Sequence, residues 1–135
     1  MPHNRGRTYA QKLGLRYEQK VHDVLSAIYG SQFRHSASIL FEDRTGLRRA
    51  IPDGVLELDD RVVVVEVKYS HCELAWWQLN KLYGPLLLRL FAKPIHACEI
   101  VHSFDPDVKW PTGAMLTHSL HRLSPHSTGV LQWKL

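Results

Sequence analysis

The chain has 135 residues, 44% of them hydrophobic, which is enough for one domain with a sizeable core but not for two independent domains. Its 17 lysines and arginines exceed its 13 acidic residues, and the pI near 9.2 favours a polyanionic partner over a cationic one. The cysteines Cys72 and Cys98 lack metal-ligand spacing, and no signal sequence or membrane-spanning run is evident. We therefore expect a reduced, cytoplasmic protein without a membrane partner.

The amino-terminal part of the chain predicts a helix followed by a strand. Thr8 and Gln11 have capping-box spacing, and apolar residues then recur at helical spacing as far as Gly30. Residues 33–41 alternate between apolar and polar side chains and end in a polar turn. This alternation is typical of a strand with one buried face.

Two further strands are predicted to form a hairpin. The second strand covers about 48–58 and is interrupted or bent at Pro52, because proline cannot donate a hydrogen bond to a neighbouring strand. The third strand covers 61–69 and contains four consecutive valines. The short turn Asp59-Asp60 joins the two strands, which are therefore predicted to be antiparallel neighbours.

A second helix and a fourth strand follow the hairpin. Ser70 and Glu73 have capping-box spacing and predict a helix start, and Gly84-Pro85 is predicted to break or kink that helix. Residues 95–101 have no clear polar face, which predicts a strand buried near the centre of a sheet.

The last part of the chain gives the weakest pattern. A short helix within 114–123 and a last strand within 129–135 are predicted, and three prolines interrupt the segment. The whole chain is thus predicted to be one α/β domain, with a core of about 8–101 and an appendage of about 102–135. Its central sheet is predicted to be mixed and flanked by helices.

Charged residues gather at one end of the predicted hairpin. Glu66 and Lys68 project from the same face of the third strand, and a turn centred on Asp59-Asp60 places Asp53 opposite Glu66. Two carboxylates so close repel each other unless a cation neutralises them or one keeps its proton. Oxygen ligands of this kind suit Mg²⁺ or Mn²⁺ rather than zinc.

The sequence Pro52-Asp53, a hairpin and then Glu66-Val67-Lys68 resembles the PD-(D/E)xK nuclease superfamily. That superfamily has a restriction-endonuclease-like core in the order helix, three strands, helix, strand. The resemblance implies hydrolysis of DNA phosphodiester bonds, with Asp53 and Glu66 as ligands of Mg²⁺, for which Mn²⁺ may substitute. It also implies that the Val67 carbonyl completes the metal shell and that Lys68 positions or activates the attacking water.

Two helical residues match further positions of the same superfamily. Glu18 matches a glutamate on the first helix that supports the metal or holds water, and Gln78 matches a catalytic glutamine on the second helix. Tyr83 follows Gln78 by five residues, whereas the exonuclease-like branch has a tyrosine four residues on. The short chain is more similar to small junction-resolving or phage-type replication and repair nucleases. A solvated helix flank for Glu18 and an ordinary polar helix position for Gln78 are the alternative interpretations.

Nucleic-acid contacts are predicted for arginines on mobile or protruding segments. An amino-terminal arm and a hairpin can both follow a phosphate backbone without reading sequence. Nothing in the sequence excludes RNA as the substrate, and cutting both strands of a duplex would favour a symmetric homodimer. The arginines are Arg5 and Arg7 in the arm and Arg44, Arg48 and Arg49 around the first hairpin.

Less specific interpretations of the same residues stay open. Asp53, Glu66 and Lys68 could form a structural ion pair at a strand end, although this leaves one acid unexplained. The chain could also be a non-catalytic nucleic-acid-binding or assembly module with a nuclease-like fold. Trp76 and Trp77 point about 100° apart on a helix, so at least one is predicted to be in the core, and base stacking is the less favoured role.

Overall fold

A computed structural model describes residues 6–103 and 128–133 of the chain. These residues form a mixed α/β fold in which helices pack on both faces of a five-stranded sheet. Two strands lie outside this sheet as a separate ribbon. No helix in the described ranges is both long enough and apolar enough to cross a membrane.

Helix α1 covers Tyr9–Tyr29 and begins as the sequence predicted. The Thr8 hydroxyl accepts a hydrogen bond from the Gln11 backbone N–H at 3.2 Å, and the Gln11 side chain accepts one from the Thr8 N–H at 2.9 Å. The helix ends at Gly30, whose φ of 58° is readily adopted only by glycine. A single 3₁₀ turn, Gly30–Gln32, leads into the sheet.

The main sheet has the strand order β1-β4-β5-β6-β7, and β2 pairs with β3 in the ribbon. The pairs β1–β4 and β4–β5 are antiparallel, whereas β5–β6 and β6–β7 are parallel. The strand β5 thus has an antiparallel neighbour on one side and a parallel one on the other. The strands are β1 (Phe33–His35), β2 (Ile39–Asp43), β3 (Gly46–Ala50), β4 (Gly54–Glu57), β5 (Val62–Ser70), β6 (Ile95–Ser103) and β7 (Thr128–Gln132).

The first two predicted strands are each split into two, which corrects the prediction of a continuous first strand and agrees with the predicted interruption of the second. One break lies at Ser36, whose φ of 53° interrupts the extended chain, and the other lies at Pro52, where an interruption was predicted. The breaks face each other, because the Ser36 N–H donates to the Asp53 carbonyl at 3.0 Å. As a result β2 and β3 leave the main sheet together, while β1 and β4 remain in it.

The four valines of β5 fill both faces of the sheet. Val63 and Val65 pack in the cluster beneath α1, whereas Val62 and Val64 pack in the cluster that includes Leu87 of the second helical region. All four valines have no exposed surface. An unbroken apolar run is expected for a strand that has helices on both sides.

The second helical region begins later than the sequence predicted. The strand β5 continues to Ser70, and the helix α2 covers Glu73–Trp77 with Cys72 at its N-cap. No side chain caps this helix, so the predicted capping box of Ser70 and Glu73 is not formed. The backbone pairing of Ser70 with Ser103 in β6 keeps Ser70 in the sheet.

The predicted break at Gly84-Pro85 is a change of helix type. A π-helical segment, Gln78–Tyr83, joins α2 to the helix α3, which covers Gly84–Leu90. The Gly84 N–H donates to the Leu79 carbonyl five residues back, and proline follows in the first turn of α3. Because proline has no N–H to donate, a helix can accommodate it most easily at the start of a new segment.

The strand β7 belongs to the main sheet, although the sequence assigned its residues to an appendage. It pairs with β6 along Ala97 to Val101, and the buried Trp133 that follows donates its N–H to the Val101 carbonyl at 2.7 Å. The Tyr17 hydroxyl of α1 donates to the Trp133 carbonyl. The helix predicted within 114–123 lies outside the described residues.

Gly54 is required where β4 passes a ring of the core. A Cβ at this position would lie 2.6 Å from the buried Phe33 ring, so the ring or the strand would have to shift. We expect Gly54→Ala to lower the free energy of unfolding by about 1–3 kcal/mol, measured by urea denaturation. Gly6→Ala is the control, since a Cβ there meets nothing within 4 Å. Equal stability of the two variants would contradict this packing.

Candidate active site

Asp53 and Glu66 face each other across the β4–β5 hairpin. The register pairs Gly54 with Val65, so Asp53, which directly precedes β4, lies opposite Glu66. This is the pairing that the position of the turn predicted. Glu66 and Lys68 follow Val64 on the sheet face that packs against the second helical region.

Each of the two carboxylates accepts a backbone hydrogen bond that fixes its position. The Asp53 N–H donates to Glu66 Oε1 at 3.0 Å, and the Val67 N–H donates to Asp53 Oδ2 at 2.7 Å. Asp53 Oδ1 and Glu66 Oε2 accept no backbone hydrogen bond among the described residues. The two carboxyl groups are also close enough for a side-chain hydrogen bond that raises the pKa of Glu66, so a cation that bound here would replace the proton of that bond.

The protein environment disfavours ionisation of Glu66. Glu66 is 2% exposed, and burial, followed by the negative charge of Asp53, raises its pKa to about 8. Lys68 Nζ lies 3.8 Å from Glu66 Oε2 and lowers the pKa in part. A carboxyl group that would otherwise keep its proton near neutral pH would ionise readily beside an additional positive charge.

Glu18 on α1 lies close enough to Asp53 and Lys68 to interact with their charges. Partial burial and the charge of Asp53 raise its pKa, whereas Lys68 lowers it. Glu18, Val67 and Lys68 line a cleft of about 540 Å³, and Arg7 lies at its wall. Arg7, Glu18 and Lys68, which the sequence singled out on three separate segments, thus line one cleft.

The donor set fits a divalent cation that keeps part of its water shell. The described residues contain no group of three or more His, Cys, Asp and Glu side chains placed to hold a metal ion. Asp53 and Glu66 offer two carboxylate oxygens, and Glu18 supplies a third acid in the adjoining cleft. Mg²⁺ typically binds through one or two carboxylates and several water molecules, so two protein ligands are sufficient.

His22 lies behind Glu18 on α1. Its ring stacks on His35 with centroids 5.1 Å apart, and its Nε2 atom is 3.9 Å from Glu18 Oε1. Burial, followed by the charge of His35, lowers the pKa of His22. The Nε2 atom has no hydrogen-bond partner among the described residues, so His22 contributes packing beside Glu18.

The π-helical segment brings Tyr83 to the two carboxylates. Burial, followed by the charges of Glu66 and Asp53, raises the pKa of Tyr83 to about 12, and its hydroxyl donates to the Ile51 carbonyl at 3.4 Å. Hydrogen bonds in a π-helix join residues five apart, so Gln78 and Tyr83 are one turn apart despite their spacing. Sequence spacing read on an α-helix missed this arrangement.

Gln78 itself is half-buried at the start of the π-helical segment. Its Oε1 atom has no hydrogen-bond partner, and Gln78 makes no hydrogen bond to Asp53 or Glu66 among the described residues. The structure therefore does not join Gln78 to the carboxylate pair. Its catalytic role stays a prediction.

Glu99 is a buried acid that the sequence analysis missed. It lies on β6 beside Glu66, to which it is paired in the parallel ladder, and it has no exposed surface. Its Oε1 atom accepts the Cys72 N–H at 3.1 Å, and its Oε2 atom is 3.0 Å from His71 Nδ1. The sequence did offer a signal for Glu99, because it is a single acid within an otherwise apolar predicted strand.

The predicted arginine contacts are divided between the cleft and the ribbon. Of the arginines predicted to contact nucleic acid, Arg7 lines the cleft, and Arg5 lies outside the described residues. Arg48 and Arg49 are exposed on β3, and Arg48 lies 3.5 Å from Asp43 Oδ2. The ribbon carries Arg44 in its turn, so its basic side chains are separate from the cleft.

Both tryptophans of α2 are exposed, so the prediction that at least one lies in the core is wrong. Trp76 is 47% exposed and Trp77 is 52% exposed. Ala75 and Leu79, which have no exposed surface, occupy the core positions of this region. The sheet is therefore packed by small and aliphatic side chains, and the indole rings face outward.

Comparisons with known proteins identify no relative of this chain. No protein-family model matches it. No curated protein and no solved structure matches it either. The functional argument therefore depends on the residues and contacts of the chain itself.

Proposed function

We propose that this protein is a metal-dependent nuclease of the PD-(D/E)xK type that hydrolyses DNA phosphodiester bonds. The observation that carries the proposal is the pairing of Asp53 with Glu66, each oriented by a backbone N–H that binds one of its oxygen atoms. Lys68 is next to this pair, with its amine 3.8 Å from Glu66. Acids of this kind, opposed and only partly compensated, are costly to a fold unless a ligand requires them.

The arrangement of the elements supports the same assignment. A helix, antiparallel strands that end in the hairpin β4–β5, a second helical region and the parallel strand β6 follow one another in the order of a restriction-endonuclease-like core. Val67 and Lys68 of β5 line the cleft directly after Glu66 in the chain. The class of fold alone would not establish an activity, so the site carries the argument.

The ion would be held by Asp53 and Glu66, with the Val67 carbonyl as a predicted third ligand. When bound, Mg²⁺ or Mn²⁺ would supply Lewis-acid polarisation of a phosphoryl oxygen and a bound water with a lowered pKa. Asp53 and Glu66 are fixed before the ion arrives, because backbone N–H groups hold one oxygen of each. This preorganisation reduces the rearrangement that the reaction requires.

The cleft residues supply positioning and charge. Lys68 would orient the attacking water and offset the negative charge that develops on the phosphate. Glu18, whose raised pKa reflects partial burial and the charge of Asp53, would accept a hydrogen bond from that water. Arg7 lines the cleft and would contact a phosphate of the backbone.

A non-catalytic nucleic-acid-binding module is the second candidate function. The burial of Glu66 and its pKa of about 8 favour it, because a carboxyl group that keeps its proton binds a divalent cation poorly. Such a module would use the same basic cleft and ribbon, and would leave the chemistry to a partner. The two candidates differ in whether the purified protein cuts a substrate.

Cleavage by the purified protein separates the two candidates. We expect Mg²⁺ or Mn²⁺ to support cutting of at least one member of a panel of branched, flapped, single-stranded and duplex DNA, and chelator to abolish it. Matching RNA substrates, resolved on denaturing gels, show whether the sugar is discriminated. Binding without cutting at any metal concentration would favour the module, and neither binding nor cutting would contradict both candidates.

A further inference from the structure

Beside the candidate active site lies a second concave surface with a different chemistry. A pocket of about 730 Å³, within the range of about 300–1,000 Å³ that is common for small-molecule sites, opens at the start of α2. Its lining is aromatic and aliphatic with two ionisable groups. The residues, called here the tryptophan pocket, are His71, Glu73, Leu74, Trp76 and Trp77.

The walls of the tryptophan pocket leave large apolar areas open to a ligand. Leu74, Trp76 and Trp77 are 58%, 47% and 52% exposed, respectively, so about one turn of a short helix exposes three large apolar side chains. The Lys81 amine lies 5.9 Å from the centre of the Trp76 ring. The indole offers a flat surface on which another aromatic ring can stack. The nearby amine favours a ring that is part of a negatively charged molecule.

A buried carboxylate lies at the polar end of the pocket. Glu99, fully buried on β6, accepts the Cys72 N–H at 3.1 Å and places its Oε2 atom 3.0 Å from His71 Nδ1. That Oε2 atom has no hydrogen-bond partner among the described residues, so its contact with the imidazole is one of charge and proximity. The His71 side chain is 39% exposed and lines the pocket.

The pocket and the cleft are joined by one chain segment. Lys68 lines the cleft and His71 lines the pocket three residues later, which corresponds to about 10 Å of extended chain. Glu99, whose Oε2 atom lies 3.0 Å from His71 Nδ1, is paired with Glu66 across the β5–β6 ladder. A polymer with its backbone in the cleft would therefore present a neighbouring unit to the pocket.

We propose that the tryptophan pocket binds an unpaired base of single-stranded nucleic acid while the phosphate backbone lies in the adjoining cleft. This inference rests on the proposed function and names the form of substrate that the site would prefer. Indole walls stack on any base, and a carboxylate such as Glu73 can accept a hydrogen bond from a base N–H group but would repel a phosphate. The basic groups Lys68 and Arg7 lie in the cleft instead.

Binding in chelator tests the pocket without requiring cleavage. We expect the wild-type protein to bind a fluorescein-labelled thymidine oligonucleotide of about 12 nucleotides, and Trp76→Ala/Trp77→Ala to bind it about 10- to 100-fold more weakly. Trp76→Phe/Trp77→Phe should recover most of the affinity, because phenyl rings also stack. Affinities are measured by fluorescence anisotropy, and circular dichroism confirms that each variant is folded.

Two controls isolate base stacking from other effects. Leu88→Ala/Leu90→Ala removes two apolar side chains of α3 that are each 62% exposed, and it should leave the affinity within about twofold. Replacing the bases of the oligonucleotide by abasic sites should weaken wild-type binding but leave the affinity of the double alanine variant unchanged.

Three results would overturn the inference. These are no binding of the oligonucleotide by the wild-type protein, equal affinity of the double alanine variant, or self-association that the alanine substitutions abolish while binding is unchanged. If tryptophan-dependent binding is found but no metal supports cleavage, the proposed nuclease activity fails and the pocket stands. If cleavage is found and binding ignores both tryptophans, the pocket fails alone.

Discussion

Replacing Asp53 by asparagine is expected to reduce metal-dependent cleavage by about a thousandfold or more. Asparagine has the same shape and can still accept the Val67 N–H, which now lies 2.7 Å from Asp53 Oδ2, so the hairpin should fold normally. It lacks the negative charge that would hold a divalent cation against the charge of the substrate. Loss of several kcal/mol of transition-state stabilisation corresponds to a rate change of this size. The rate is measured on the best substrate of the panel at saturating Mg²⁺.

Asp59→Asn is the matched control for this substitution. Asp59 lies in the exposed turn of the same hairpin and is replaced by the same residue type, so its rate should stay within about twofold of wild type. Lys68→Met should lose cleavage but retain the fold, because its long apolar stem can still cover the sheet. Cleavage by Asp53→Asn at a rate near that of wild type would contradict the assignment of this carboxylate as a metal ligand.

The parts of the fold that were predictable are those specified by local sequence. The capping box at Thr8 and the glycine at Gly30 fixed both ends of α1, and the valine run located β5 with helices on both faces. The split of the first two strands was less accessible. It requires a positive φ at Ser36 opposite the interruption at Pro52, and a serine in that conformation has no sequence signal.

The second helical region shows a different limit of sequence reasoning. A periodicity of 3.6 residues assigns Trp76 and Trp77 to opposite sides of the core boundary, and assigns Gln78 and Tyr83 to different faces. The π-helical segment changes that phase only after Trp77, so it bears on Gln78 and Tyr83. The two tryptophans precede that segment, and a buried alanine and leucine four residues apart take the core positions instead. The tryptophan prediction was wrong because periodicity shows which residues share a face but not which face packs on the sheet.

The candidate site was more predictable than its surroundings. Turn position and strand alternation alone placed Asp53 opposite Glu66, since an antiparallel hairpin fixes the register of all its pairs. Glu99 was missed because its partner in the ladder, Glu66, is reached through a parallel crossover whose register the sequence does not specify. Local pairings were thus predictable, whereas pairings across a crossover were not.

In chelator, the stability of the wild-type protein is expected to fall as the pH rises from about 4.5 to about 8. The pKa of Glu66 is raised from 4.5 to about 8 by burial and then by the charge of Asp53, so the folded protein keeps a proton that the unfolded chain loses. Ionisation therefore favours the unfolded state throughout this interval and adds nothing further above it. A shift of this size corresponds to a loss on the order of 3 kcal/mol or more.

Glu66→Gln should remove this dependence, because glutamine can accept the Asp53 N–H that now lies 3.0 Å from Glu66 Oε1 but cannot ionise. The variant should exceed wild type in stability by an amount that grows from pH 5 to pH 8.5, measured by urea unfolding in chelator. Glu42→Gln, an exposed acid on β2, should follow the wild-type curve. Added Mg²⁺ should stabilise wild type at pH 8.5 but not Glu66→Gln, because binding to the folded state alone shifts unfolding. Identical pH profiles of stability for wild type and Glu66→Gln would show that ionisation of Glu66 does not destabilise the folded protein. The argument for a metal site would then lose its electrostatic basis.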